Sequence, residues 1–112
     1  MKLIVAIIRP EKLPQVVRAL ESIGIFPMTV LEVRGRGEQK GLTITYDDKE
    51  FKIELLPKIR LEIAVDDKNV EKVITVIQKA AWTGKPGDGK IFVIPLFDVV
   101  RIRTGERGVR AL

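Results

Sequence analysis

The chain has 112 residues, enough for one domain with a modest core and too few for two. It contains no cysteine and no histidine. That excludes disulfides, thiolate metal sites and a histidine general base, and leaves hard, oxygen-bound cations such as magnesium as the candidate metals. With 20 basic and 15 acidic side chains the net charge is +5, a mild bias toward anionic partners. An aromatic content of 5% is too sparse for a base-stacking surface, so nucleic acid is not expected as a partner.

In chain order, MKLIVAII (1–8) reads as a strand that is apolar on both faces: Leu3, Val5 and Ile7 on one, Ile4, Ala6 and Ile8 on the other. This run is too short for a membrane span or a signal-peptide core, so the expectation is a cytoplasmic protein without membrane insertion. RPEKLPQVVRALESIG follows, with Leu13, Val16, Val17, Leu20 and Ile23 at helical spacing, Pro14 in the first turn and Gly24 as the stop. MTVLEVRGRG is a second strand. In EQKGLTITYDDKEFKIELLP the pattern dissolves, because charges interrupt the branched residues and Pro57 ends the stretch. A connection of this length is expected to be functional or mobile. Alternation resumes at Lys58, with Ile59, Leu61, Ile63 and Val65 facing one way and Lys58, Arg60, Glu62 and Ala64 the other. A second helix carries Val70, Val73, Ile74, Ile77 and Ala81 on one stripe. Residues 91–95 and 99–103 read as strand pieces.

KLIVAIIRPEKLPQVVRALESIG and IRLEIAVDDKNVEKVITVIQKAAWTG read as two copies of one unit. The order β-α-β, long loop, β-α-β predicts an α+β, ferredoxin-like fold over residues 1–112. Two helices would cover one face of a four-stranded antiparallel sheet. The first strand is apolar on the other face as well, so a homo-oligomer packed through that open face is expected.

TGKPGDGKIF (83–92) matches G-x-x-x-x-G-K, but Ile91 stands where a P-loop has Ser or Thr, and the order is helix-loop-strand rather than strand-loop-helix. A Walker site is excluded. The stretch is either a plain helix stop or a concavity of backbone amides for an anion. Arg101 and Arg103, two apart on the expected strand, would share a face. They are either a solvated basic edge or a phosphate pair, each charged hydrogen bond to phosphate contributing roughly 1.5–3 kcal/mol.

TGKPGDGKIFVIP, VRIRTGERG, LLPKIRLEI, AIIRPEKL and MTVLEVRGRGEQKG together resemble the nitrogen regulatory PII signal-transduction proteins nearly end to end. The resemblance implies a ferredoxin-like homotrimer with ATP and ADP competing for clefts between subunits. It puts Gly87, Asp88, Gly89 and Lys90 around the phosphates with Arg101, Ile102 and Arg103 beside them. Thr29 and Ala64 fall near the adenine, and Gly37 and Glu38 at the base of a flexible T-loop of about residues 38–55. It implies that Gln39 coordinates Mg2+ together with ATP and 2-oxoglutarate. Lys58 would meet the distal carboxylate of 2-oxoglutarate, and the backbone at Lys40 and Gly41 would help. The implied function is sensing of these ligands to regulate nitrogen assimilation or uptake through T-loop binding to a target. The ammonium transporter, glutamine synthetase and the nitrogenase system are the candidate targets.

The sequence departs from this pattern in the loop. Phe51 replaces the tyrosine that many relatives uridylylate and Lys49 a serine that some phosphorylate, so neither modification is expected there. Tyr46 is expected to be a loop aromatic that packs locally rather than a modification site. Asp47, at the tip, replaces an arginine used against ammonium channels; with Asp48 and Glu50 it makes an acidic tip, a poor plug for an ammonium pore. QKGLT is similar to the nitrogenase-regulating branch. A divergent sensor of bicarbonate or another small acid is the alternative. A small ATPase or acyl-phosphate hydrolase, with Asp88, Glu62 or a lysine as base, is the less favoured one, and no enzyme activity is expected. Glu38 replaces a phosphate-reaching arginine, and a carboxylate there repels phosphate. Glu38→Arg is therefore expected to strengthen ATP binding; a titration unchanged from the parent would show that position 38 faces away from the ligand.

Overall fold

The computed structural model describes residues 1–37, 42–53 and 55–112. Strand β1 (Lys2–Ile8) leads through a 3-10 turn (Pro10–Lys12) into helix α1 (Leu13–Ser22). Strand β2 (Thr29–Gly35), a hairpin of β3 (Leu42–Tyr46) and β4 (Lys49–Ile53), and strand β5 (Leu56–Val65) follow. A second 3-10 turn (Asp67–Asn69) opens helix α2 (Val70–Ala81), and β6 (Lys90–Pro95) completes the main sheet. The sheet order is β2-β5-β1-β6 with every neighbouring pair antiparallel. This is the ferredoxin-like arrangement expected from the order of elements, and the two repeated units are both strand, 3-10 turn and helix.

The double-faced apolar strand occupies the middle of the sheet, paired on both sides. Its residues Ile4, Ala6 and Ile8, with Ile59, Leu61, Ile63 and Val65 of β5, pack against Val16 and Leu20 of α1 and Val73, Ile77 and Ala81 of α2. The helical spacing in the sequence thus marks the buried stripes, and period two marks the buried face of β5. Local chemistry sets the helix ends. Pro10 opens the first 3-10 turn, where its missing N–H costs no bond. The Asp66 carboxylate accepts from the Lys68 amide at the second. After α1 the Gly24 amide closes on the Glu21 carbonyl at 2.9 Å.

Two expectations need correction. The long connection carries the β3–β4 hairpin, and β5 begins at Leu56, two residues before Lys58. Pro57 lies inside β5, opposite Arg34 and beyond the last β1 pairing at Ile59, so its lack of an N–H breaks no bond to β1. Two of the charges that obscured the hairpin, Glu50 and Lys52, sit on its polar face, where Thr43 opposes Lys52 and Thr45 opposes Glu50; Lys49 stands opposite Tyr46. Asp47 and Asp48 form its turn with φ of 52° and 58°, the double left-handed geometry of a two-residue hairpin loop.

Residues 99–103 are not a strand. Val100 forms an isolated bridge with Arg107, the Arg101 amide donates to Glu106 O at 2.9 Å, and the Gly105 amide returns to Arg101 O at 2.8 Å. The alternation of Arg with Val and Ile imitates a strand, but the chain reverses after Arg101. Arg101 and Arg103 therefore do not share a strand face.

The open face of the sheet carries Leu31, Val5, Phe92 and Ile94, of which Leu31, Phe92 and Ile94 are 39%, 47% and 42% exposed. Among the described residues no helix is long and apolar enough to cross a membrane.

Leu20 is fully buried between the helices and the sheet. Leu20→Ala is expected to lower unfolding free energy by about 3 kcal/mol, read as a fall in the urea midpoint with an unchanged slope.

Candidate functional site

The antiparallel pairing of β1 with both β5 and β6 brings three chain segments to one end of the sheet. Ile8 opposes Ile59 and Ile7 opposes Lys90, so the start of β5 and the start of β6 flank the end of β1. Lys58, Arg9 and the glycine loop meet there. Lys58 Nζ donates to the Gly87 carbonyl at 2.6 Å. Arg9 donates from Nη2 to the Pro86 carbonyl at 2.8 Å and from Nε to Asp88 Oδ1 at 2.9 Å.

Asp88 organises the loop from within. Its carboxylate accepts from the Thr83 hydroxyl, from the Thr83 amide at 2.8 Å and from the Gly84 amide at 2.9 Å, besides Arg9. Burial raises its pKa, but the Thr83 hydroxyl and amide, the Arg9 guanidinium and the Gly84 amide outweigh burial. The group is held well below the usual carboxylate range. It is a structural anchor with its oxygens occupied. What the loop can offer a ligand is its backbone and Lys90.

Two glycines of this loop cannot be replaced freely. Gly87 has φ of 100°. A Cβ on Gly89 would stand 1.7 Å from the Ile7 carbonyl oxygen, so the loop backbone rests directly on β1. The Gly87 amide has no acceptor among the described residues, while the Asp88 amide closes the turn at Pro86–Gly87 back toward the Lys85 carbonyl. Arg9 and Lys58 hold the carbonyl side of this turn, which leaves the Gly87 N–H on the opposite side, where a backbone donor can receive an anion. Lys58 is itself pushed below its ordinary pKa by burial and by the Arg9 charge, with Glu11 and Asp88 acting in the opposite direction.

The other expected site residues fall elsewhere. Thr29 opposes Glu62 and Ala64 opposes Leu3, which puts both on the open face toward the far end of β5, about 13 Å and about 20 Å from Lys58 by strand rise. Gly37 is exposed just beyond β2. Glu38, Gln39, Lys40 and Gly41 lie outside the described residues. Arg101, Ile102 and Arg103 follow β6, whose last residue lies about 16 Å along the strand from Lys90. No hydrogen bond or ion pair among the described residues joins them to the glycine loop. Arg101 donates to the Leu112 carbonyl at 2.8 Å, and Ile102 is fully exposed. Nearby, Asp98 holds the C-terminal turn through Arg107 at 2.6 Å and the Val99 and Gly108 amides.

Sequence reasoning missed Arg9 and Thr83. Thr83 stood in the quoted stretch without a role. Arg9 had only one signal, a cation set between a buried strand and a proline. Its partner Asp88 is 79 positions away, beyond any local pattern.

A ferredoxin-like domain with a glycine loop held by Arg9 and Lys58 at the end of its central strand defines the class. A family model described as Nitrogen regulatory protein P-II matches residues 1–106. Nitrogen regulatory protein P-II 2 of Methanothermobacter thermautotrophicus is 55% identical over 112 residues, covering 100% of this chain and 97% of its own length. Nitrogen regulatory protein P-II of Azospirillum brasilense is 51% identical and nitrogen regulatory protein GlnK of Escherichia coli 50% identical, each covering 100% of both chains. The chain belongs to the nitrogen regulatory PII family.

Because the pKa of Asp88 is depressed, its stabilisation is complete above the unfolded value of about 3.9 and is lost as pH falls toward the folded value. Asp88→Asn is expected to reduce stability by roughly 1–3 kcal/mol at pH 7. The deficit should shrink below about pH 4, as read by urea titrations at several pH values.

Proposed function

We propose that the protein is a PII-type signal-transduction protein that binds ATP and ADP and, with Mg2+, 2-oxoglutarate, and that regulates nitrogen assimilation or uptake by engaging a target protein. The observation that carries this reading is the glycine loop, whose carbonyls are held by Arg9 and Lys58 and whose Gly87 amide has no acceptor among the described residues. Phosphates are matched to such donors, and family membership makes an adenine nucleotide the natural owner of them.

The spread of the remaining residues supports a site shared between copies. Within one chain the glycine loop and Arg101–Arg103 attach to opposite ends of β6. A neighbouring copy that brings its Arg101 and Arg103 to this loop would complete a phosphate clamp, with Thr29 and Ala64 along the same open face near the adenine. A homotrimer packed through that face would also cover Val5, Leu31, Phe92 and Ile94. Gln39, Lys40 and Gly41 would hold 2-oxoglutarate and Mg2+ together with Lys58. Lys58 would then turn one of its donors from the Gly87 carbonyl to the carboxylate.

The output is assigned to residues 38–55. The β3–β4 hairpin puts Ile44, Tyr46 and Phe51 on one side, 45%, 75% and 50% exposed, under a tip of Asp47 and Asp48. Ligand charge in the cleft would bias the placement of this ribbon, and the ribbon would be read by the target. The acidic tip suits a basic target surface better than an ammonium pore. Regulation rather than catalysis fits the loop chemistry, because the Asp88 oxygens are committed to Thr83, Gly84 and Arg9, and Glu62 is paired with Arg60 at 3.2 Å.

Calorimetry with ATP and ADP, each with and without Mg2+ and 2-oxoglutarate, tests the ligand reading. ATP and ADP are expected to compete, and 2-oxoglutarate to bind only alongside Mg-ATP. Absence of nucleotide heat refutes the proposal. Nucleotide heat without any 2-oxoglutarate response identifies a divergent sensor instead. Light scattering is expected to give three times the 12.6 kDa chain mass, and Phe92→Glu on the open face to shift that mass toward the monomer.

A further inference from the structure

We propose that Arg9 is a positioning residue for the phosphate arm: it aims the Gly87 amide at the ligand without touching the ligand itself. The proposal rests on the nucleotide reading above and concerns a residue which that reading leaves without a role. The geometry follows from the planarity of the peptide unit. In a trans peptide the C=O of one residue and the N–H of the next point in opposite directions, and this chain has no cis bonds. Arg9 holds the Pro86 carbonyl at 2.8 Å and Lys58 holds the Gly87 carbonyl at 2.6 Å. The N–H groups of those two peptide units belong to Gly87 and Asp88. Each therefore points away from the cation that holds the carbonyl of its own peptide unit: the Asp88 amide turns inward to close the Pro86–Gly87 turn, and the Gly87 amide is left without an acceptor among the described residues.

Arg9 also grips the loop from its other side through Asp88 Oδ1 at 2.9 Å. One planar guanidinium thus fixes a carbonyl and a carboxylate two residues apart. It is well placed to do so, because it directly follows Ile8 of the central strand, which is 2% exposed. The Gly89 contact with the Ile7 carbonyl oxygen leaves the loop no room to collapse onto β1. An Arg9 that served only as a positive charge would act equally well as lysine. An Arg9 that acts as a clamp would not, since an ammonium lacks the fork that spans Pro86 O and Asp88.

The test uses the full chain with Arg9→Lys, Arg9→Gln, Asp88→Asn and the double variant Arg9→Gln/Asp88→Asn. Affinities for ATP and ADP are read by calorimetry, and the unliganded Gly87 and Asp88 amide resonances by NMR. Arg9→Lys and Arg9→Gln are both expected to weaken ATP and ADP by about tenfold or more and to shift both amides before any ligand is added. The double variant is expected to lose less than the sum of the two single variants, because Arg9 and Asp88 hold the same loop. Wild-type affinity in Arg9→Lys overturns the proposal in favour of a simple charge effect. Losses that add in full overturn it in favour of direct contact between Arg9 and phosphate. If the parent chain binds no nucleotide, the functional reading fails, and the amide resonances of Arg9→Lys still decide whether the clamp exists: unmoved resonances reject it.

Discussion

A strand that is apolar on both faces has one stable place, the middle of the sheet, and β1 takes it. Much else follows from that placement. Its neighbours β5 and β6 are antiparallel to it, so both begin where it ends. Lys58, Arg9 and Lys90 therefore arrive at the same edge of the molecule from three distant parts of the sequence. Like charges gathered in this way need compensation. For Arg9 and Lys58 the Pro86 and Gly87 carbonyls and the Asp88 carboxylate supply it. The site is thus a consequence of the sheet order rather than an addition to it.

The same pairing explains why the core forms on one side. Ile4, Ala6 and Ile8 meet the stripes of α1 and α2, and each helix is held to the sheet by its own small set of fully buried side chains. On the opposite face Val5, paired with Phe92 of β6, is buried, while Leu31, Phe92 and Ile94 stay partly in solvent. An apolar face of that extent on a chain of this size is what a homotrimer would use, and it fits the proposal that a second copy completes the nucleotide site.

How much of this could be read beforehand depended on range. The period-two run of β5 and the helical spacing of Val16 with Leu20 and of Val73 with Ile77 are local patterns, and they mark the buried faces correctly. The end-to-end resemblance to PII proteins is confirmed by the family match. The misreadings have identifiable causes. The β3–β4 hairpin was hidden because its polar face carries Thr43, Thr45, Glu50 and Lys52 and its turn uses two aspartates in place of the usual Asn-Gly. Residues 99–103 alternate like a strand, yet backbone bonds from Arg101 to Glu106 and from Gly105 to Arg101 make them a reversal. Arg9 escaped notice because only folding brings it to Asp88.

Gly89 and the Ile7 carbonyl meet as bare main chain, with no side chain between them. A side chain at such a junction could swing to another rotamer and absorb a small displacement. Here nothing can. A load applied to the loop reaches the central strand undamped, and from there passes rung by rung to both flanking strands. The contact makes the loop less a lid than the short arm of a lever whose beam is the sheet.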